Sequence, residues 1–215
     1  IGNSFELGAL SQTLEITETS CYSSLQPALR SGLITESLDG HFEFAHDRIR
    51  EAAHEMLPPV QREALHFRIG MNLLQQYENG QDQNAIFNVV LHLNLAAPLL
   101  KDKTLRVRVV ELNLKAAKLA KNSGYFEQAG THAKAGLTLL GTEDWDRHAD
   151  QLTELKTILG ECLYLQNEFD QAEQQFKEIR VHTKSAQALS QIYFTISKLD
   201  HAQGRYLQAI ESGSK

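Results

Sequence analysis

The spacing of apolar positions divides the chain into two stretches of different character. From Phe5 to about Leu57 the pattern is mixed. Phe5, Leu7, Leu10 and Leu14 recur at helical spacing in FELGALSQTLE, which predicts a first helix, and SSLQPALRSGL predicts a second short one ending near Gly32. The period then shortens. LITES and HFEFA, joined by LDG, read as a small β-hairpin: Asp39-Gly40 supplies the positive φ of a tight turn, and Phe42 and Phe44 alternate onto one face. A helix is expected from near Asp47, with Ile49, Ala53, Met56 and Leu57 as its apolar stripe. Pro58-Pro59 ends it, because a proline disfavours the αR conformation in the residue before it, while the second proline suits the first turn of a new helix.

After Pro59 the pattern is almost wholly helical, with segments expected near 59–77, 83–95, 104–123, 126–140, 146–166, 169–181, 185–203 and 205–212. Three junctions share a signature: GYFEQA at 124–129, NEFDQA at 167–172 and GRYLQA at 204–209. Gly124, Asn167 and Gly204 are suited to the left-handed conformation that closes a helix. Phe126, Phe169 and Tyr206 are expected to plug the gap beneath the next helix, and Ala129, Ala172 and Ala209 to let paired helices approach closely.

The order helix, helix, hairpin, helix predicts a winged-helix-like unit over residues 1–57. The remainder, 58–215, predicts a helical repeat domain. Aligned on its junctions, the stretch from about 104 to 215 resembles the tetratricopeptide (TPR) family. Ala117, Gly160 and Ser197 take the small position of the first helix, and Phe176 the aromatic position of the second. The resemblance implies an α-α superhelix, continued back through 59–103. Departures accompany it. The alanines recur at 43 and 37 residues, against roughly 34 in the family. Lys156 and Asn113 stand where large apolar residues are usual, and Ile179 replaces a small one. The fold class expected is therefore mainly α, a winged-helix-like unit with a small hairpin followed by a TPR-like superhelix.

Composition narrows the function classes. With 215 residues, 42% of them hydrophobic, the chain can bury a real core. Its 21 Lys and Arg against 27 Asp and Glu give a net charge of −6 without a basic run, which argues against a nucleic-acid partner. The candidate recognition helix SSLQPALRSG carries only Arg30 and contains Pro27. The most apolar stretch, AIFNVVLHLNLAAPLL, is interrupted by Asn88, His92 and Asn94 and is short for a membrane span, so a buried helix is expected instead. Cys21 and Cys162 lie far apart with no CxxC spacing, which fits a reduced, cytoplasmic protein. IGNSFELGAL lacks an initiator Met and signal-peptide order, and YLQAIESGSK stops inside a helical pattern, so a piece of a longer protein is expected.

The densest chemistry lies in FEFAHDRIREAAH. On a helix starting near Asp47, Arg50 and His54 share a face with His46, so a His-Asp-His cluster is geometrically open. A zinc-hydrolase HExxH pattern is not met: His54-Glu55 is followed by Pro58 where the second ligand belongs. Asp47 also has a plain role, since an acidic first-turn residue complements the helix dipole. GLTLLGT, at 136–142, has glycines at Walker A spacing but lacks the lysine, and reads as a helix end. His132, His148, His182 and His201 are scattered without partners at ligand spacing, and no GxSxG elbow accompanies Cys21 or any serine. Trp145, in GTEDWDRHADQ, is either a partner anchor or a residue tucked under the next helix.

An aromatic strand followed by His46-Asp47 and an amphipathic helix resembles the Met-His-Asp segment of STAND-type signalling ATPases, with Ala45 in place of the methionine. The resemblance implies that His46 reaches the phosphates of bound ADP to hold an inactive state, with Asp47 bracing the backbone. More narrowly, IGNSFEL, FEFAHDRIREAAHEML and LHFRIGMNLL look like the junction between ATPase and helical repeats in large bacterial sensor kinases, which carry serine/threonine and histidine kinase domains. That implies a regulatory segment with no catalytic residues, metal or cofactor of its own. ATP or ADP would sit in an upstream domain, and the partners would be proteins, including the chain's own ATPase and kinase domains. A passive TPR-like scaffold and a winged-helix transcriptional regulator are the alternatives.

Overall fold

The computed structural model describes residues 4–37, 40–80, 85–141, 144–183 and 186–214. It is mainly helical, with one small three-stranded antiparallel sheet. The chain divides into two compact units, residues 1–99 and 100–215.

The first unit begins with β1 (Ser4–Glu6), α1 (Leu7–Leu14) and α2 (Glu18–Arg30), continues through β2 (Ile34–Glu36), β3 (His41–Phe44) and α3 (Asp47–Glu55), and ends with α4 (Pro59–Glu78), α5 (Ile86–Leu95) and a 3₁₀ turn at Ala97–Leu99. The sheet order is β1-β3-β2, so the hairpin strand β3 is central. Phe5 pairs with Phe42 across β1 and β3, their rings stacked at 5.7 Å, and Tyr22 of α2 meets Phe42 edge-on at 6.1 Å. Phe5 thus belongs to a strand and not to the first helix, which starts at Leu7. Its aromatic pairing across the sheet decides the matter, because cross-strand aromatic contacts stabilise a pleated edge that local spacing does not reveal. Thr17 caps α2 by accepting from the Ser20 N–H, and the chain leaves α2 through Gly32 at φ +68. Gly40 has φ +77 before β3, while Asp39 of the expected turn lies outside the described residues.

The apolar stripe expected on α3 is not buried. No residue of the helix is, and Met56 just beyond it is 84% exposed. The helix is short and held chiefly at its start, where β3 delivers it, so its apolar side finds no facing layer within this unit. Pro59 opens α4 at its first position, as the double proline predicts. The core of the unit lies where α4 meets α5. Gly70 makes the close approach possible, since a Cβ there would stand 2.6 Å from Leu93 Cδ2, and Ile86, Val89, Val90 and Leu93 are sealed from solvent. Because α1 packs on α4 and α4 on α5, the unit runs on past Leu57 to residue 99.

The second unit contains α6 (Lys103–Asn122), α7 (Phe126–Leu139), α8 (Trp145–Leu165), α9 (Phe169–His182), α10 (Ala186–Ala202) and α11 (Tyr206–Gly213). Each helix packs on the next through α9, α10 packs on α11, and α8 also touches α6 and α10. Gly124, Asn167 and Gly204 close their helices at φ +81, +65 and +72. Each is followed by a backbone N–H returning to the turn before, as Tyr125 does to Ala120 at 2.9 Å. Ala129 and Ala172 are fully buried and Ala209 nearly so. Of the three aromatics, Phe169 packs edge-on against Tyr164 at 4.9 Å. Phe126 and Tyr206 instead remain 39% and 60% exposed and do not plug their junctions. Each is the first residue of its helix, and Tyr206 meets the His201 ring of the preceding helix edge-on at 5.4 Å while staying largely exposed.

The residues that depart from the repeat pattern find local solutions. Asn113 is wholly buried, and its Nδ2 donates to the Val109 carbonyl at 3.0 Å. Lys156 reaches Glu178 at 2.6 Å and Gln175 at 3.3 Å across the α8–α9 pair, holding the Glu178 carboxyl below its usual range. Ile179 is buried in the shared core beside Phe176.

Candidate functional site

The candidate sensing residues stand where β3 hands over to α3. Leu33 and Ala45 are tied by the Ala45 N–H donating to the Leu33 carbonyl at 3.0 Å, which fixes the strand end. His46 follows in extended conformation at the N-cap position, φ −150 and ψ 146. Its carbonyl accepts from the Ile49 N–H at 2.9 Å, but its imidazole caps no N–H of the helix and its side chain is exposed. Asp47 opens the helix, exposed, with Arg50 at 3.8 Å. A pair of that exposure and length contributes little to stability.

His54 does not join His46 and Asp47; it turns to α4 and heads a row of three imidazoles. His54 Nε2 lies 3.3 Å from His66 Nε2, and His66 Nδ1 lies 2.8 Å from His92 Nδ1. The row runs from the exposed His54 through the partly buried His66 to His92, which is 7% exposed on α5. Burial lowers the His66 pKa, with nearby positive charge at His54 and Arg62 acting in the same direction. Burial pushes His92 down to about 3, reinforced by His66. His92 also borders a cavity of about 220 Å³ between α1, α4 and α5, together with Leu10, Ile69, Leu73 and Asn88. Only His54 of this row falls in the segment that sequence reading picks out. The remaining signal was His92, a titratable residue set in the most apolar helix of the chain.

The other candidates resolve into packing. Trp145 is 8% exposed and stacks on the His182 ring at 4.5 Å and 7°. His201 meets Tyr206 edge-on at 5.4 Å. Cys21 and Cys162 are buried free thiols. Burial raises both their pKa values, with Glu18 adding to the effect at Cys21, and Cys162 rises to about 11 with help from Glu161. Thiols held protonated in this way are poor nucleophiles near neutrality. Of the glycines of GLTLLGT, Gly136 is buried in the last turn of α7 and Gly141 lies beyond it, and Thr142 lies outside the described residues. A wider groove of about 840 Å³ opens between α10 and α11, lined by Ser197, His201, Tyr206, Ala209, Ile210 and Gly213.

Among the described residues, no group of three or more His, Cys, Asp or Glu side chains is arranged to hold a metal ion. No described helix is long and apolar enough to cross a membrane. In comparisons with known proteins, no family model, no curated protein and no solved structure matches this chain.

Proposed function

We propose that this chain is a regulatory segment of a bacterial signal-transduction kinase. In this reading the residues before α4 form a winged-helix-like unit that senses the nucleotide state of a STAND-type ATPase preceding it. The helices after them form a TPR-like superhelix that passes that state to kinase output and binds protein partners. The segment works in the cytoplasm and assigns catalysis, and the ATP or ADP, to its neighbours.

The observation that carries the reading is the exposure of His46 at the strand-to-helix turn. An N-cap residue usually spends its side chain on its own helix, whereas this imidazole makes no such bond. An N–H on that ring can donate to a phosphate oxygen. Asp47, with Arg50 3.8 Å away, opens the helix behind it.

The test is ADP retention by the chain fused to its upstream ATPase. His46→Ala, a change at an exposed position, is expected to speed ADP release; unchanged retention removes the sensor role. A passive protein-interaction scaffold is the second reading, favoured by the open groove between α10 and α11. On that reading His46→Ala leaves both ADP retention and partner capture as they were. A DNA-reading role has less support, since α2 offers Arg30 as its one cation.

A further inference from the structure

In the second unit, the helices that precede the left-handed junctions reach forward to carboxylates on the next such helix. Lys121 of α6 is paired with Glu161 of α8, and Lys118, three residues earlier, with Glu154. Tyr164 of α8 donates to Asp200 of α10. Lys121 and Tyr164 keep the spacing of Ala129 and Ala172, and the next step of that spacing, set by Ala209, falls on His201. By the same spacing Lys198 stands where α6 has Lys118. Both line the groove between α10 and α11. Among the described residues neither has a carboxylate partner: Lys198 lies over the exposed Phe194 ring at 5.4 Å, and His201 meets Tyr206. The groove also differs from its counterparts in shape. Gly213 stands where α9 carries the buried ring of Phe176, so no side chain from that position fills the space beside Ile210, which is 69% exposed.

We propose that the α10–α11 groove docks an amphipathic helix of a protein partner, one that presents two carboxylates seven residues apart beside an apolar stripe. This rests on the partner-binding role proposed above. The chemistry of the occupant is read from α8, which offers Glu154 and Glu161 to Lys118 and Lys121 while burying Leu155, Ile158 and Cys162 in the core. Seven residues make about two turns, so both acids fall on one face of the helix. In the groove an ammonium at Lys198 and an imidazole N–H at His201 are the matching donors. Ile210 supplies the apolar contact between them and the helix that arrives. A second copy of this chain is the poorer occupant, because its helix of matching chemistry, α8, is already sealed into its own core.

The test titrates a fluorescent peptide copying residues 144–166, cross-linked to hold it helical, with the full 215-residue chain in reducing buffer. Saturable one-to-one binding is expected. Glu154→Gln with Glu161→Gln in the peptide should weaken it by about threefold or more, as should Lys198→Ala with His201→Ala in the protein. Ile210→Asp should weaken it by about tenfold or more, since it sets a carboxylate against apolar surface and beside the incoming acids. Leu207→Asp, at a position 77% exposed and outside the groove, is the control and should leave binding unchanged. Circular dichroism checks that Ile210→Asp folds; if it does not, the Lys198 and His201 double variant decides. Absence of binding by the folded parent chain overturns the proposal, as does binding that these groove variants leave intact. A parent dimer in sedimentation that Ile210→Asp dissolves also overturns it, by assigning the groove to a second copy. ADP retention is read separately, so failure of the docking site and failure of the nucleotide-sensing role are told apart.

Discussion

Gly160 of α8 lies directly beneath the ring of Phe176 in α9: a Cβ at Gly160 would stand 2.8, 2.9 and 3.2 Å from Cζ, Cε1 and Cε2 of that ring. Phe176 is 1% exposed and enclosed by the core of the second unit. Gly160→Ala therefore sets two effects against each other. Alanine gains about 1 kcal/mol of helix propensity, while overpacking a filled site costs about 1–3 kcal/mol. Net destabilisation is expected in urea denaturation. The double variant Gly160→Ala with Phe176→Leu should recover part of the loss, because the shortened side chain makes room for the methyl. A Gly160→Ala protein more stable than its parent would show that the ring yields.

Asp200 is a buried carboxylate, 4% exposed, that accepts from the Tyr164 hydroxyl and has Arg205 Nε at 3.6 Å. The Arg205 guanidinium in turn lies 4.7 Å from the centre of the Phe169 ring. Tyr164→Phe takes a donor from a carboxylate that water reaches poorly, and a loss of about 1–3 kcal/mol is expected. Tyr164 itself is pushed up to about 12, by burial first and then by the bond to Asp200 and its charge. A folded pKa above the unfolded value of about 10 contributes stability that is complete below that value and lost as pH rises toward 12. Alkaline unfolding should accordingly shift in Tyr164→Phe; an identical alkaline limb in both proteins would sink this account.

The histidine row makes stability depend on acid. His92 is a base whose folded pKa, about 3, lies below that of a free imidazole, about 6.5. Between those values the unfolded chain binds more protons, so stability rises with pH. The contribution is fully present above about pH 6.5 and is lost as pH falls toward 3, at up to about 1.4 kcal/mol per pH unit. Urea midpoints measured between about pH 7 and about pH 5 should fall in the parent chain. They should fall less in His92→Gln, which keeps a hydrogen-bonding partner for His66 but cannot titrate. Equal slopes would place the acid sensitivity elsewhere.

Much of the architecture is local and was therefore legible in the sequence. Helical spacing sets the helices of the second unit, Pro59 opens α4, and Gly124, Asn167 and Gly204 adopt the left-handed turns that their chemistry favours. These outcomes follow from backbone sterics and short-range periodicity, which a single chain carries within a few residues. The hairpin was legible for the same reason, while the third strand was not, since Phe5 becomes a strand residue only when Phe42 is brought opposite it.

Tertiary packing alone decided which side chains meet. His66 and His92 are 26 residues apart and touch only because Gly70 lets α5 close on α4. The exposure of Met56, Phe126 and Tyr206 depends on whether a facing element exists, which no periodicity records. Spacing along a helix specifies the face a residue occupies. Burial, pKa and pairing depend on what lies across from that face, and this comes from parts of the chain far away in sequence.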